Sequence, residues 1–298
     1  MPYIRDTVRS VLSQDYADLE YIVVDAGSTD GTIEYLRSLN DPRLRVIVAK
    51  TGQYEAINLG FESATGDVFA WINADDCYMP WTFSSVADVF GASADVKWVV
   101  GLPSYMNRRS QCMRVASHVS THPRKYITRG YYNNKLFGCL QQESMFWSSE
   151  LWRECGGLDL SLLHAADFEL WTRFARRSDL VSVPIPLAAF RFRGGEQRSV
   201  LYKADYEAEV AAVISRLRRR PGLLRHVCSA GQVIRCLVRL SIWRRGRAAR
   251  FSQTWNTWKI EPAFGPVSWH GLLSLSREAF GRRNDRVQHE HAQVAQQS

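Results

Sequence analysis

Asp67-Val68-Phe69-Ala70-Trp71-Ile72-Asn73-Ala74-Asp75-Asp76-Cys77-Tyr78 is the stretch from which the rest of the chain is read. The five apolar or aromatic residues from Val68 to Ile72, entered from Gly66, predict a short buried strand of an α/β sheet. Asp75 and Asp76 then fall where that strand should run out. In open α/β sheets ligands gather at the carboxyl ends of strands, and adjacent carboxylates on a loop suit a hard divalent cation shared with a substrate's phosphates. The pair reads as a metal site that holds a diphosphate. The plainer alternative is two turn acids capping a helix that starts near Pro80.

Toward the N-terminus, Ile4, Val8, Val11 and Leu12 have helical spacing, so a helix is expected to end near Gln14. Leu19 to Asp25 is a β-branched apolar run, read as a buried strand. The Gly- and cap-rich turn Ala26 to Thr32 leads into a helix over Ile33 to Leu39. Leu44 to Ala49 is a further strand, and Gln53 to Ala64 a helix stopped by Gly66. Alternation of strand and helix over this stretch predicts right-handed crossovers and a mainly parallel sheet.

Toward the C-terminus a helix is expected over Pro80 to Gly91 and a strand over Lys97 to Tyr105. From Met106 to Gly138 the pattern is weak. Glu143 to Trp147 reads as a strand and Ser149 to Glu154 as a short helix. Asp167 opens another helix with Leu170, Phe174 and Trp171 facing inward. Leu180 to Phe192 is extended but interrupted by Pro184 and Pro186, which predicts an edge. Leu223, Val227, Ala230, Ile234 and Leu237 share one helical face, with Arg225, Gln232, Arg235 and Arg239 on another, so a basic amphipathic helix is expected there. The tail from about Asn284 is expected to be disordered.

The chain has 298 residues, 46% of them hydrophobic and 23% charged, as in ordinary globular proteins. No stretch approaches the roughly 18 apolar residues of a spanning helix, and the start has no apolar signal core. The expectation is a cytoplasmic protein, with peripheral contact at the inner face of the membrane as the option raised by the basic segment. The six cysteines form no CxxC pair and are expected to be free core thiols. The net charge of +8 is concentrated: residues 216–250 hold eleven arginines and no acid, so the remainder is slightly acidic. A nucleic-acid-binding reading of that segment lacks a recognised module. An interfacial helix on an anionic membrane is the competing reading, and a helix packed on the domain with a solvated arginine face is the plain one.

Tyr21-Ile-Val-Val-Asp-Ala-Gly-Ser-Thr-Asp-Gly-Thr32, Ala56-Ile-Asn-Leu-Gly-Phe61 and Trp71-Ile-Asn-Ala-Asp-Asp76 occur in order, followed by Gly156-Gly-Leu-Asp159 and Ala166-Asp-Phe-Glu-Leu-Trp-Thr-Arg173. Together they resemble family 2 glycosyltransferases, over about residues 3 to 199. The resemblance implies a GT-A fold, a Rossmann-like α/β mixed sheet, mainly parallel, with flanking helices. Its nucleotide-sugar half would cover about 1–105 and its acceptor half about 106–199. A helical basic extension over 200–283 and the tail 284–298 would follow. It also implies an inverting transferase that uses a nucleotide-sugar donor, Mn²⁺ or Mg²⁺, and a glycan or lipid-linked hydroxyl acceptor, in polysaccharide or cell-envelope synthesis.

Residue by residue, the resemblance carries Asp25 over as the acid that contacts the base, with Ser28 in the same turn. Asp75 and Asp76 become the metal-and-diphosphate acids, Asp76 the more direct ligand, and Asp167 the base that deprotonates the acceptor. Asp25 could instead cap its turn, and Asp167 could serve only as a helix cap. Glu143 is either a second acid near the acceptor or a strand-edge charge. Trp71, Trp147 and Trp171 are expected in the core.

Two features depart from the family. Relatives begin with a further strand, and here Met1 stands where the following loop should be; the expectation is a misplaced start or a fragment, the alternative an impaired nucleotide-sugar-binding remnant. Relatives also often carry His where Arg193 stands. Arginine pairs with phosphate oxygens but cannot ligate a metal as imidazole does, so Arg193 or Arg198 is expected to clamp the diphosphate.

Overall fold

The computed structural model of the chain describes residues 2–218 and 243–266. The first part runs α1 (Ile4–Leu12), β1 (Tyr21–Asp25), α2 (Thr32–Ser38), β2 (Leu44–Val48), α3 (Gln53–Glu62), β3 (Val68–Phe69), β4 (Cys77–Tyr78), α4 (Thr82–Gly91) and β5 (Trp98–Val100). There follow β6 (Ser104–Met106), β7 (Cys112–Val115), α5 (Arg124–Ile127), β8 (Met145–Ser148), α6 (Ser149–Cys155), α7 (Ala166–Arg177), β9 (Val181–Ser182) and β10 (Ala188–Arg191). The last elements are α8 (Arg198–Leu201), α9 (Lys203–Arg218), β11 (Trp243–Ser252) and β12 (Thr257–Pro266).

The central sheet has the order β12-β11-β9-β5-β8-β3. Side-chain alternation fixes its two faces. Trp98, Val100, Met145 and Trp147 point into one core with Trp171 and Phe174 of α7. Val99 and Phe146, the residues between them, point into the other with Val86 and Val89 of α4. Helices thus cover both faces of an α/β sheet, as expected. Its pairing is mixed: β9 runs parallel to β5 and β11, whereas β8 is antiparallel to both β3 and β5. A second sheet, β4-β10-β6-β7, carries the acids' loop at its border, and β1-β2 form a parallel pair of their own.

Four expectations change. The strand expected over Val68 to Ile72 pairs only at Val68 and Phe69, because the Trp71 carbonyl accepts a hydrogen bond from Gln142 Nε2 at 2.6 Å instead of joining the ladder. Glu143 lies in a 3₁₀ turn, Gln142–Ser144, just before β8. The expected edge at Leu180 to Phe192 becomes two interior strands, since Pro184 and Pro186 fall in the link between β9 and β10 and leave both ladders intact. The helical character expected of residues 200–283 holds for α9, but Trp243 to Pro266 is a ten-rung antiparallel hairpin whose inner strand extends the central sheet at β9. Its Ala249 and Trp258 are buried in the α4-side core, so this basic stretch contributes a period-2 packing face. The basic amphipathic helix expected around Leu223 to Arg239 and the tail from Asn284 lie outside the described residues.

Two local devices position the turn and helix that lead into and form α7. The glycines after α6, Gly156 and Gly157, have φ of 76° and 71°, the left-handed region where a side chain is strained. A Cβ on Gly157 would meet Asn58 Oδ1 at 3.1 Å. The turn can therefore sit close to α3, where Asn58 donates to Leu158 O and accepts from Leu158 N. Glu209 of α9 accepts from the backbone N–H groups of Leu163, His164 and Ala165, each at 2.9 Å, and so anchors the approach to α7. The boundary expected near residue 199 thus has, on its far side, a helix that supports the near side.

Candidate active site

Asp75 and Asp76 sit on the turn between the end of β3 and β4. Asp76 is 1% exposed. Its Oδ1 accepts the backbone N–H of Arg191 at 2.8 Å and its Oδ2 accepts from Asn73 Nδ2 at 3.2 Å. Burial, and then the charge of Asp75, push the Asp76 carboxyl up to about 7. A carboxylate so placed calls for a neighbouring cation. Asp75 is the more open of the two, and Arg193 Nε lies 2.8 Å from its Oδ2 as an ion pair, although the Nε–H is not aimed at an oxygen. Arg198 instead stands 5.5 Å from the centre of the Tyr202 ring. Of the two arginines expected at the diphosphate, only Arg193 touches the acids.

Among the described residues no three or more His, Cys, Asp or Glu side chains form a ready metal cage. Two adjacent acids fit a cation that keeps its remaining positions for phosphate oxygens and water, and the negative charge that Asp75 and buried Asp76 hold side by side is the feature that suits one. Both Asp76 oxygens already accept a hydrogen bond, so the Asp75 carboxylate is the more accessible ligand.

On the other side of the site, Asp167 lies in the first turn of α7, half-buried, with Oδ1 accepting the Phe168 N–H at 2.8 Å. Burial pushes its carboxyl up to about 6. Glu143 is 3% exposed, and its Oε1 has no hydrogen-bond partner. Burial first, then the charges of Asp76, Asp75 and Asp167, raise its pKa well above the usual carboxylate range. Glu143 is therefore a buried group that senses all three acids, and neither a strand-edge charge nor a solvent-exposed one.

Asp25 ends β1 and uses Oδ1 to accept from Gly27 N and Ser28 N, at 2.8 and 2.6 Å. It does cap its turn, while Asp30 caps α2 through Thr32. Among the described residues no hydrogen bond or ion pair joins Asp25 or Ser28 to the Asp75–Asp76 turn. Trp147 and Trp171 are buried, and Trp71 packs between them at ring distances of 5.3 and 5.9 Å. Cys77, Cys139 and Cys155 are free and at least partly buried as expected; Cys112 is free but exposed on β7.

Three residues at the site were not singled out from the sequence. Asn73 bridges Asp76 to Gln142, whose Oε1 lies 3.3 Å from Asn73 Nδ2. Arg191 is fully buried against the acids' turn. The alternation Phe190-Arg191-Phe192-Arg193 was the available signal for Arg191: it puts both arginines on one face of a strand, but nothing in it says which face is inside.

The family profile described as Glycosyl transferase family 2 matches residues 1–149. Among curated proteins the chain is 36% identical over 95 residues to an uncharacterised glycosyltransferase of Nostoc sp., covering 30% of each chain. It is 27% identical over 236 residues to one of Mycobacterium tuberculosis, covering 78% of this chain and 82% of the relative. An uncharacterised glycosyltransferase of Haemophilus influenzae is 23% identical over 66% of this chain and 64% of its own. The chain thus spans less than two thirds of the length of some of these relatives. Among solved structures, Staphylococcus aureus TarS 1-349 with UDP-GlcNAc superposes with a TM-score of 0.57 at 17% identity, over 79% of this chain and 66% of that one. The mannosyltransferase PcManGT from Pyrobaculum calidifontis, with GDP-Man and Mn²⁺, gives 0.52 at 20%, over 74% and 61%. These likenesses carry the GT-A fold. With half of its length matched by the profile, the chain belongs to glycosyltransferase family 2.

Proposed function

We propose that the chain transfers a sugar from a nucleoside-diphosphate sugar to a hydroxyl acceptor with inversion at the anomeric carbon. The observation that carries this reading is the placement of the acids: Arg191 fixes the Asp75–Asp76 turn after β3, Asp167 opens α7, and buried Glu143 lies close enough to feel the charges of all three. In the reaction, Asp167 takes the acceptor hydroxyl's proton while that oxygen bonds to the anomeric carbon and the bond from that carbon to the diphosphate oxygen breaks. Its raised pKa brings it nearer neutrality than an exposed Asp, which strengthens it as a base. Asp75 and Asp76 would hold a divalent cation, Mn²⁺ or Mg²⁺, which when bound neutralises charge on the departing diphosphate. Arg193 leaves Asp75 for a phosphate oxygen as the donor enters. Asp25 and Ser28 contact the nucleoside, and Glu143, held neutral, faces the acceptor side and donates a hydrogen bond. The acceptor is a glycan or a lipid-linked hydroxyl, and the basic C-terminal region makes any contact with an anionic membrane.

The neighbours solved with UDP-GlcNAc and with GDP-Man and Mn²⁺ support a nucleotide-sugar donor and a cation. One observation favours a second reading, a nucleotide-sugar-binding protein without turnover: β1 and β2 stand apart from the central sheet. The test is release of nucleoside diphosphate from UDP-, GDP- and dTDP-sugars with Mn²⁺. Release that disappears in Asp76→Ala and Asp167→Asn supports the transferase, whereas saturable donor binding without release supports the second reading.

A further inference from the structure

Arg191 is the most completely enclosed charge among the described residues. Its side chain is 0% exposed, yet among the described residues the one carboxylate within ion-pair distance of its guanidinium is Asp6, at 3.3 Å. All three guanidinium nitrogens are engaged. Nε donates to the Asp75 carbonyl at 2.6 Å, Nη1 to Ser110 Oγ at 2.8 Å, and Nη2 to Asp6 Oδ2. Longer contacts reach Asn107 O and Arg108 O at 3.4 Å and Cys77 Sγ at 3.5 Å. The Tyr3 ring covers the cation at 4.8 Å. The residue's own N–H holds Asp76 Oδ1, and its carbonyl accepts from Gln197 Nε2, both at 2.8 Å.

Arg191 therefore grips the Asp75-Asp76 turn at two points that no other residue combines. Its main chain fixes the Asp76 carboxylate, and its side chain fixes the Asp75 peptide. From that grip it reaches the start of α1 and the β6–β7 turn. Burying a cation costs free energy that an apolar side chain of the same size would not, so the geometry does not describe packing alone. We infer that Arg191 is the positioning residue that presents the Asp75 and Asp76 carboxylates together to a cation-bound diphosphate. Arg193, two residues beyond the end of β10, pairs with the Asp75 carboxylate and is 26% exposed. The two arginines thus divide the work: one holds the turn permanently, the other is exchangeable. Lysine cannot replace Arg191 fully, because one ammonium cannot span donors aimed in three directions.

This inference rests on the proposal that the acid pair holds a cation and diphosphate. Its test is Mn²⁺ binding to the full chain, followed by the electron-spin resonance of free Mn²⁺, with UDP or GDP present and at a temperature where melting curves show each variant folded. Arg191→Met is expected to weaken Mn²⁺ about 10- to 100-fold, the range for lost support of a metal ligand. Arg191→Lys should fall between it and the parent, and Asp167→Asn should bind as the parent does. A folded Arg191→Met with unchanged Mn²⁺ affinity, beside an Asp76→Asn that has lost it, overturns the inference and leaves the acid-pair reading intact. A parent chain that binds no Mn²⁺ overturns both. Should Arg191→Met not fold, the paired change Asp6→Asn and Ser110→Ala releases the outer anchors of the guanidinium. Weakened Mn²⁺ binding in that folded variant then supports the inference, and parental binding overturns it.

Discussion

The two acidic corners of the site are built in opposite ways. Around Asp75 and Asp76, nearly every oxygen has a partner: the Arg191 N–H, the Asn73 amide, the Arg191 and Arg193 guanidinium groups. Around Asp167 and Glu143 partners are scarce. Asp167 is given only backbone donors by its own helix start, and Glu143 Oε1 has none. The first corner is organised to keep negative charge in a fixed place. The second is organised to keep a proton within reach, because burial without compensating donors raises a carboxyl's proton affinity.

Removing the proposed base breaks the comparison most severely. Asp167→Asn is expected to cut turnover by about 10²–10⁴-fold while nucleoside diphosphate binding stays within about twofold, as isothermal titration would show. Comparable losses of binding and turnover would mean that the two corners are not separable. Asp75→Ala should lower turnover by about 10²-fold, the scale of losing one electrostatic contact to the leaving group, and should weaken Mn²⁺ dependence in parallel.

Acidity sharpens the comparison further. The rate should climb as Asp167 loses its proton near about 6. Stability should move the other way. A carboxyl whose folded pKa lies above its unfolded value of about 3.9 favours the folded state below that value, and this contribution is lost as pH rises from about 4 through about 6. Urea midpoints measured from pH 4 to 7 with the parent and Asp167→Asn would isolate it, since the variant should lack this slope.

Glu143→Gln replaces a neutral buried acid with a neutral amide and should change stability by about 1 kcal/mol or less. A loss several times larger would show that the carboxylate is ionised and partnered in the folded chain. The smallest effect on stability is expected for Arg193→Ala, within about 0–1 kcal/mol for a partly exposed ion pair. Its donor KM should nevertheless rise, and an unchanged donor affinity would remove Arg193 from the diphosphate site.

Much of the fold is legible wherever one strong period governs a segment. The helices α1, α2 and α3 and the strands β1 and β2 match the expected stretches to within a few residues, because each displays its apolar face every 3.6 residues or as an unbroken β-branched run. The acids were legible for the same reason: they follow a strand. What sequence could not convey was partnership across the chain. Nothing in Val68 to Ile72 says that a glutamine 71 residues away takes the Trp71 carbonyl. The Trp243 to Pro266 hairpin hid behind its arginines, since its inward Ala249 and Trp258 are too few to reveal a period of two. Arg191 was hidden by register, for a shift of one residue in β10 would have turned Phe190 inward and Arg191 outward.

The separate β1-β2 pair has a practical consequence. Among the described residues β1 has a strand on one side only, so the far edge of Tyr-Ile-Val-Val-Asp has no strand to bond with, in a β-branched, nearly uncharged run. Such an edge recruits any strand that can lie against it. Concentrated solutions of this chain would therefore turn cloudy or gel by edge-to-edge stacking. Solutions that stay clear over a wide range of concentration would show the edge covered, which makes colloidal behaviour a readout of that edge.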